Sequence, residues 1–329
     1  MTLSKTHPPD QSNKVTHMVS VVVAVFRNAD SLVQLYNEIT TIASTRFPKL
    51  ELEIVFVDDG SDDKSWDVIS EIKSKDPSHI SSHRLTRNFG QLSAMVAGFG
   101  LARGDAVISI SADLQEPTEL IGDMVDRWLS GHDVVIANRS ERSDGRFASL
   151  TSRIAYAYAR RVVRGIPKGG FDYFLMSRRV LVQILNFQGR FRFIQGDLLW
   201  LGFPTSFIPY SRAKRKHGKS GYSFRRRLSY FVDLVIDSSY GPIKFMSRIG
   251  VLSAFLGLSY AIVIVFAWLN QATPFDGWAP IMVVLLITSG LILITLGTIG
   301  AYIWRIYDQL RLRPMSVILD SSFPEKENK

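Results

Sequence analysis

Cysteine is absent from the 329-residue chain, which excludes disulfides, zinc ribbons, thiolate-held clusters and a thiol nucleophile. Acidic residues are outnumbered, 30 Asp and Glu against 39 Lys and Arg, leaving a formal net charge of +9 that asks for an anionic partner. Neither a dinucleotide-binding G-x-G-x-x-G nor a P-loop G-x-x-x-x-G-K-[ST] is present, which disfavours the folds that cradle phosphate in that way. The first 17 residues lack an apolar run and carry Pro8 and Pro9, so they read as a loose tail rather than a signal peptide.

What is present is segregated. Ile249 to Leu269 and Ala279 to Trp304 each run without an Asp, Glu, Lys or Arg. Each exceeds the roughly 20 residues that cross a hydrocarbon core of about 30 Å. Two buried core helices are the alternative, but those are usually shorter and amphipathic. Arg225, Arg226, Arg227, Lys244 and Arg248 precede the first span and Arg305, Arg311 and Arg313 follow the second, whereas the connection carries only Asp276. The expectation is therefore a multi-pass protein of the cell membrane, anchored by a two-helix transmembrane hairpin with the preceding domain and both termini cytoplasmic. Trp268, Trp278 and Trp304 at the span ends suit the headgroup region. Gly290, Gly297 and Gly300 allow close helix contact and self-association into a homo-oligomer, with ordinary lipid-facing packing as the alternative.

Ahead of the spans, strand-length apolar runs alternate with amphipathic stretches. Strands are expected at Val19–Phe26, Leu52–Val57, Ser82–Leu85, Ala106–Ser111 and Val134–Ala137. Helices are expected near Ser31–Ala43, Lys64–Lys75, Gln91–Ala102 and Glu119–Leu129. This alternation predicts an α/β fold, a mostly parallel sheet with helices on both faces, whose ligands sit at the carboxyl ends of strands. The divisions expected are a tail over 1–17, an α/β domain over 18–222, an amphipathic juxtamembrane segment over 223–245, the spans over 246–305 and a cytoplasmic tail over 306–329.

Three clusters carry chemistry. Asp58, Asp59, Gly60, Ser61, Asp62 and Asp63 follow the second strand; alone, such a run is a helix N-cap on a tight turn. Asp113 and Gln115 leave the fourth strand, where their oxygens suit Mg²⁺ or Mn²⁺ against a diphosphate, although a capping role accounts for them equally well in isolation. The third is Arg212 to Arg227, which holds eight positive charges and no acid. A solvated loop would explain it, but the adjacent amphipathic Leu228 to Ile236 and the first span favour anionic lipid or a phosphate-bearing substrate over nucleic acid. A smaller basic set, including Arg139 and Arg153, follows the fifth strand.

Read together, Phe56 to Ser61, Arg87-Asn88-Phe89-Gly90-Gln91, Ala112-Asp113-Leu114-Gln115, Asp172 before Ser177-Arg178, and Arg215 to Ser220 resemble the family 2 inverting glycosyltransferases that act on polyprenyl phosphates. That group contains bacterial bactoprenol glucosyltransferases and dolichol-phosphate mannose synthase. The resemblance implies a GT-A (Rossmann-like) fold, a nucleotide-sugar donor, a divalent metal and a lipid-phosphate acceptor. Position by position, it gives Asp58, Asp59 and Asn88 to the nucleotide sugar, and Asp113 and Gln115 to the metal and donor diphosphate. Arg139 and Arg153 resemble residues that receive the acceptor phosphate, and Arg215 with Ser220 matches a basic segment closing over the donor. Asp172 matches a carboxylate near the reacting centre, and Asp197 stands where related soluble transferases place a catalytic base. Two departures stand out. The family's Asp-Ala-Asp reads Ser111-Ala112-Asp113, replacing a metal-facing carboxylate by a hydroxyl, and its Pro-Val-Tyr-Asn-Glu reads Ala24-Val25-Phe26-Arg27-Asn28.

The reaction expected is a single displacement moving a hexose onto undecaprenyl or a similar polyprenyl phosphate, with UDP-glucose the leading donor and mannosyl or aminosugar transfer the alternatives. A polysaccharide synthase would normally need more spans for a conduit. A catalytically silent membrane subunit that binds nucleotide sugar, with Ser111 the mark of a decayed metal site, is the rival from another class.

Overall fold

Eight strands form one sheet in the computed structural model, which describes residues 17–139, 165–167, 170–187, 193–211, 241–270 and 279–324. In chain order the first elements are β1 Met18–Val25, α1 Ala29–Arg46, β2 Glu51–Asp58, α2 Ser65–Lys75, β3 Ile80–Leu85, α3 Gln91–Leu101, β4 Ala106–Ser111, α4 Leu120–Leu129 and β5 Val134–Arg139. Then follow β6 Tyr173–Ser177, α5 Arg178–Asn186, α6 Ile194–Trp200, β7 Thr205–Tyr210, α7 Gly241–Leu269, α8 Ala279–Leu310 and β8 Ile318–Ser322. The strands lie side by side in the order β7-β5-β6-β4-β1-β2-β3-β8.

Alternation along each strand sorts the core onto two faces. Val19, Val21, Val23 and Val25 of β1, with Ile54 and Phe56 of β2, pack under Leu32, Leu35 and Ile39 of α1, Ile69 of α2 and Met124 of α4. Val22, Val55 and Val57 turn the other way, toward Met95 and Phe99 of α3, Val180 and Ile184 of α5, and Leu198 of α6. Residues 32, 35, 39 and 43 of α1 are buried, the i, i+3, i+7 stripe that a sheet-covering helix needs. Helices thus cover both faces, as the alternation of runs predicts.

The sheet is mostly parallel, as expected, with two strands reversed, which makes it mixed. Pairs β1–β2, β1–β4, β2–β3 and β5–β7 are parallel, but β6 lies antiparallel between β4 and β5, and β8 is antiparallel to β3. β6 is five residues long and fully buried. A strand inserted antiparallel in this way pairs on both sides without a crossover helix of its own.

The expected α/β domain stops short of one element that belongs to it. Residues 306–329 read as a tail, yet β8 pairs with the β3 edge through Ser82↔Ser322, His83↔Ser321, Arg84↔Asp320 and Leu85↔Ile318. His83 is buried there, its Nε2 2.5 Å from Ser81 Oγ and its Nδ1 2.7 Å from Ser321 Oγ, with the Phe323 ring edge-on at 5.1 Å. Burial, helped by the charge of Lys73 and opposed by that of Glu53, pushes the imidazole down to about 4 from 6.5. Between those pH values the unfolded chain takes up a proton that the folded chain does not, so stability rises with pH across the window and is lost as pH falls from about 6.5 toward 4. Thermal midpoints followed by tryptophan fluorescence should fall between pH 7 and pH 5, and His83→Gln should flatten that slope; an unchanged slope would place the sensitivity elsewhere.

Helices α7 and α8 carry their apolar side chains outward: Leu252, Phe255 and Phe266 on one and Leu285, Leu293 and Ile303 on the other are more than half exposed. Among the described residues one stretch, Val283–Leu310, is long and apolar enough to cross a membrane by length and composition.

Candidate active site

Five strands meet at one end of the sheet, and four of them bring polar residues to it. β1, β2, β4 and β5 end there at Val25, Asp58, Ser111 and Arg139, and the antiparallel β6 begins there, just after Asp172. Chemistry gathers at this rim because strands supply side chains that helices elsewhere would cover.

On the β2 side, both acidic residues are sequestered. Asp58 is 0% and Asp59 2% exposed. Asp58 accepts from the Ser61 backbone N–H at 3.2 and 3.3 Å and lies 3.3 Å from Arg84 Nε. Asp59 accepts the Phe89 N–H at 2.7 Å and the Gly90 N–H at 2.9 Å, one on each oxygen. Burial raises both carboxyls above the usual range, against those hydrogen bonds. Each carboxylate therefore ties backbone from the chain's own loops, and Asp59 holds the turn on which the exposed Asn88 sits. Gly60 makes that closure feasible: its φ is +65°, and a Cβ would lie 2.5 Å from the Arg87 carbonyl carbon and 2.8 Å from the Asn88 nitrogen. Gly60→Ala should cost about 1–3 kcal/mol from the backbone conformation alone, and more from displacing the 87–90 turn. A thermal midpoint within a degree of wild type would refute this.

Next along the rim, Ser31 Oγ donates to the Ala112 carbonyl at 2.6 Å and Gln115 N–H to Asp113 Oδ1 at 3.3 Å. Leu114 between them has φ +56°, a left-handed conformation that a branched side chain rarely adopts. Its side chain packs on the core, which holds the turn in place. Ser111 donates its hydroxyl to Glu116, and its N–H lies 3.1 Å from the same oxygen. Glu116, 3% exposed, is a site residue that the sequence expectations miss; the Gln115-Glu116-Pro117 run directly after the strand is the signal that marks it. A buried carboxylate thus stands beside the position where the family's first Asp is missing.

The β5 and β6 ends meet at an ion pair, Arg139 to Asp172 at 2.8 Å, with Gln195 of α6 donating to the other Asp172 oxygen at 2.9 Å. Burial opposes the Arg139 charge, but Asp172, a hydrogen bond with Tyr210 and the charge of Glu116 hold the guanidinium firmly protonated. Asp197 follows Gln195 by two residues, about 200° around the helix, and so leaves α6 on another side. The fold therefore joins Arg139, Asp172 and Gln195, and sets Asp113 with Gln115 on one turn. Arg153, Arg215 and Ser220 lie outside the described residues.

The donor set at the Asp113 turn is oxygen only. Among the described residues no group of three or more His, Cys, Asp or Glu could enclose a metal. One carboxylate and one amide suit a hard cation that keeps waters and takes substrate phosphate as further ligands.

The pattern defining glycosyl transferase family 2 matches residues 20–195. A bactoprenol glucosyl transferase of a Shigella flexneri prophage is 32% identical over 305 residues, 92% of this chain and 98% of that one. An undecaprenyl-phosphate 4-deoxy-4-formamido-L-arabinose transferase from Edwardsiella ictaluri is 34% identical, covering 92% and 93%. A Synechocystis glycosyltransferase of uncharacterised role is 31% identical over 93% of this chain and 96% of its own.

Proposed function

The chain belongs to glycosyl transferase family 2 and is a glycosyltransferase, and we propose that it moves a hexose, glucose from UDP-glucose first among the candidates, onto a polyprenyl phosphate at the cytoplasmic membrane face. The observation that carries the membrane part of this reading is topological. β7 and β8 are the two outer strands of the sheet. Tyr210 ends β7 beside Arg139, and Ile318 opens β8 beside Leu85, so the chain leaves for α7 and returns from α8 at the rim that holds the polar residues. Because both departure and return belong to one sheet, the intervening chain crosses any bilayer an even number of times. Val283–Leu310 crossing alone would violate that parity, and α7 is the apolar helix available as its partner. A rim turned toward the membrane suits an acceptor whose phosphate cannot leave the interface.

In the displacement, an acceptor phosphate oxygen forms a bond to C1 of the sugar as the bond from C1 to the nucleoside diphosphate breaks, with inversion. The nucleophile is already ionised near neutral pH, so alignment and charge neutralisation supply most of the rate. Asp113 and Gln115 would hold a divalent cation together with the donor diphosphate; when bound, it offsets the leaving charge. Asp58 and Asp59 act by shaping the turn that presents Asn88 to the nucleotide. In this reading Arg139 and Arg153 would receive the acceptor phosphate, Asp172 would stand near the reacting centre, and Arg215 and Ser220 would close over the donor, while Asp197, on another side of α6 from Gln195, is not given a part. The glycines of α8 offer a surface for self-association.

Purified full-length protein incubated with undecaprenyl phosphate and a panel of radiolabelled nucleotide sugars should move label into the organic phase, most from UDP-glucose. Mannose or an aminosugar transferring faster would revise the donor. Donor binding with all label left in water would establish the silent subunit instead.

A further inference from the structure

We propose that β8, the strand beyond the last apolar helix, is a positioning element for the donor half of the site. Without it, β3 would be the sheet's outer strand on that side, paired through β2 alone. β3 leads directly into the donor half. Its Arg84 reaches Asp58 at 3.3 Å and the Ser61 carbonyl at 3.2 Å. Thr86, just past the strand, donates its N–H to the Val317 carbonyl at 3.0 Å, and three residues later the Asp59 latch takes Phe89 and Gly90. The segment 84–90 is thus pinned from two sides, by Asp58 and Asp59 within the sheet and by residue 317 beyond it.

Side chains reinforce the backbone pairing. Lys73 donates both to the Ile80 carbonyl at 2.5 Å and to the Phe323 carbonyl at 2.6 Å, bridging the start of β3 to the end of β8. Ser321 and Phe323 close over His83. All five β8 residues are solvent-exposed, so the strand buries little apolar surface of its own and is held mainly by this pairing. Such an arrangement adds order to a neighbour more than it adds core.

Position along the chain gives the tie a second consequence. Leu310 ends α8 and Ile318 opens β8, a connection that spans at most about 28 Å when fully extended. Seven strand spacings at about 4.8 Å separate β7 from β8, so the chain grips the sheet at points about 34 Å apart. One grip adjoins Arg139 and the other adjoins the 84–90 turn. The short connection from α8 thus ties the donor half of the rim closely to the end of the apolar helix.

The role assigned to β8 rests on reading the 84–90 turn as part of a nucleotide-sugar site, and the test separates the two. Full-length protein is compared with a chain ending at Arg313, by amide exchange at Phe89 and Gly90, by UDP calorimetry, and by KM for donor and acceptor. Removing β8 should speed exchange at both amides and weaken UDP about tenfold, with acceptor KM changed less than twofold, and a peptide of residues 315–324 should restore both. Unchanged exchange and UDP affinity in the shortened chain would overturn the proposal. Should that chain fail to fold, Ser321→Ala with Phe323→Ala should move the same readouts in the same direction, and their invariance would overturn it equally. If full-length protein binds no nucleotide sugar, the functional reading fails, and exchange at Phe89 and Gly90 alone decides the role of β8.

Discussion

Asp113→Ala is expected to leave less than about 1% of the transfer rate, the loss typical when one group neutralising a developing charge is removed. The carboxylate stands at the end of β4 on a turn whose central residue, Leu114, is held at φ +56°. That strain has a use if it carries Asp113 and Gln115 round to the same ligand. Glu116 is close, but it accepts from both the N–H and the hydroxyl of Ser111 and is buried, so it is committed to shaping the turn. Asp113 is therefore the carboxylate for which no substitute stands ready. Two measurements check this: initial rates with polyprenyl phosphate, and UDP affinity with and without Mn²⁺. Wild-type protein should bind UDP more tightly with the cation, and Asp113→Ala should lose that difference while keeping its thermal midpoint within a few degrees. A fully active variant would remove Asp113 from the site. Ser111→Asp, which restores the family's triplet, should not raise the rate, because the new carboxylate would face Glu116 at close range.

Four of the first five strands are legible in sequence because each is a buried apolar run between turn residues, and burial on both faces is what such runs encode; β3, Ile-Ser-Ser-His-Arg-Leu, shows itself only by its place in the alternation with helices. Of the last three, β6, Tyr-Phe-Leu-Met-Ser, is a buried apolar run of only five residues outside the regular alternation, and the two edge strands carry no such pattern. β7 reads Thr-Ser-Phe-Ile-Pro-Tyr, and β8 reads Ile-Leu-Asp-Ser-Ser with every residue exposed. Their strand character comes from the neighbour they pair with rather than from pattern, which is how edge strands commonly behave. The rim was legible for a related reason: polar residues that interrupt apolar runs at strand ends mark it. What the carboxylates do there was less so. Asp58 and Asp59 look like ligands in a linear reading, but the amides that occupy Asp59 lie about thirty residues away, a proximity that only the β2–β3 pairing creates. Glu116 escaped notice for the converse reason. Its importance depends on Ser111 and Arg139 converging on it from β4 and β5, which spacing alone does not reveal.

Arg139→Ala is expected to lower kcat/KM for the lipid phosphate by about a hundredfold or more, with donor KM within about threefold, and to destabilise the protein as well. The guanidinium is 13% exposed and its Asp172 partner 48%, so losing it strands one nearly buried carboxylate, Glu116, and one half-exposed carboxylate, Asp172. Breaking a buried pair typically costs about 3–5 kcal/mol; solvent screening at Asp172 puts the cost here near the lower figure, about 3 kcal/mol. The two effects separate in a second variant. Arg139→Ala combined with Asp172→Asn removes one stranded charge while keeping an oxygen for the Gln195 amide, so the thermal midpoint should partly recover. Transfer should not recover, because the guanidinium proposed to meet the acceptor phosphate is still missing. Normal lipid kinetics in that double variant would show Arg139 to be a structural cation only and would leave the acceptor phosphate to Arg153. Asp172→Asn alone sharpens the point from the other side. It frees the guanidinium from its nearest counter-charge without removing it, so a lower KM for the lipid phosphate is expected if phosphate and Asp172 compete for the same cation.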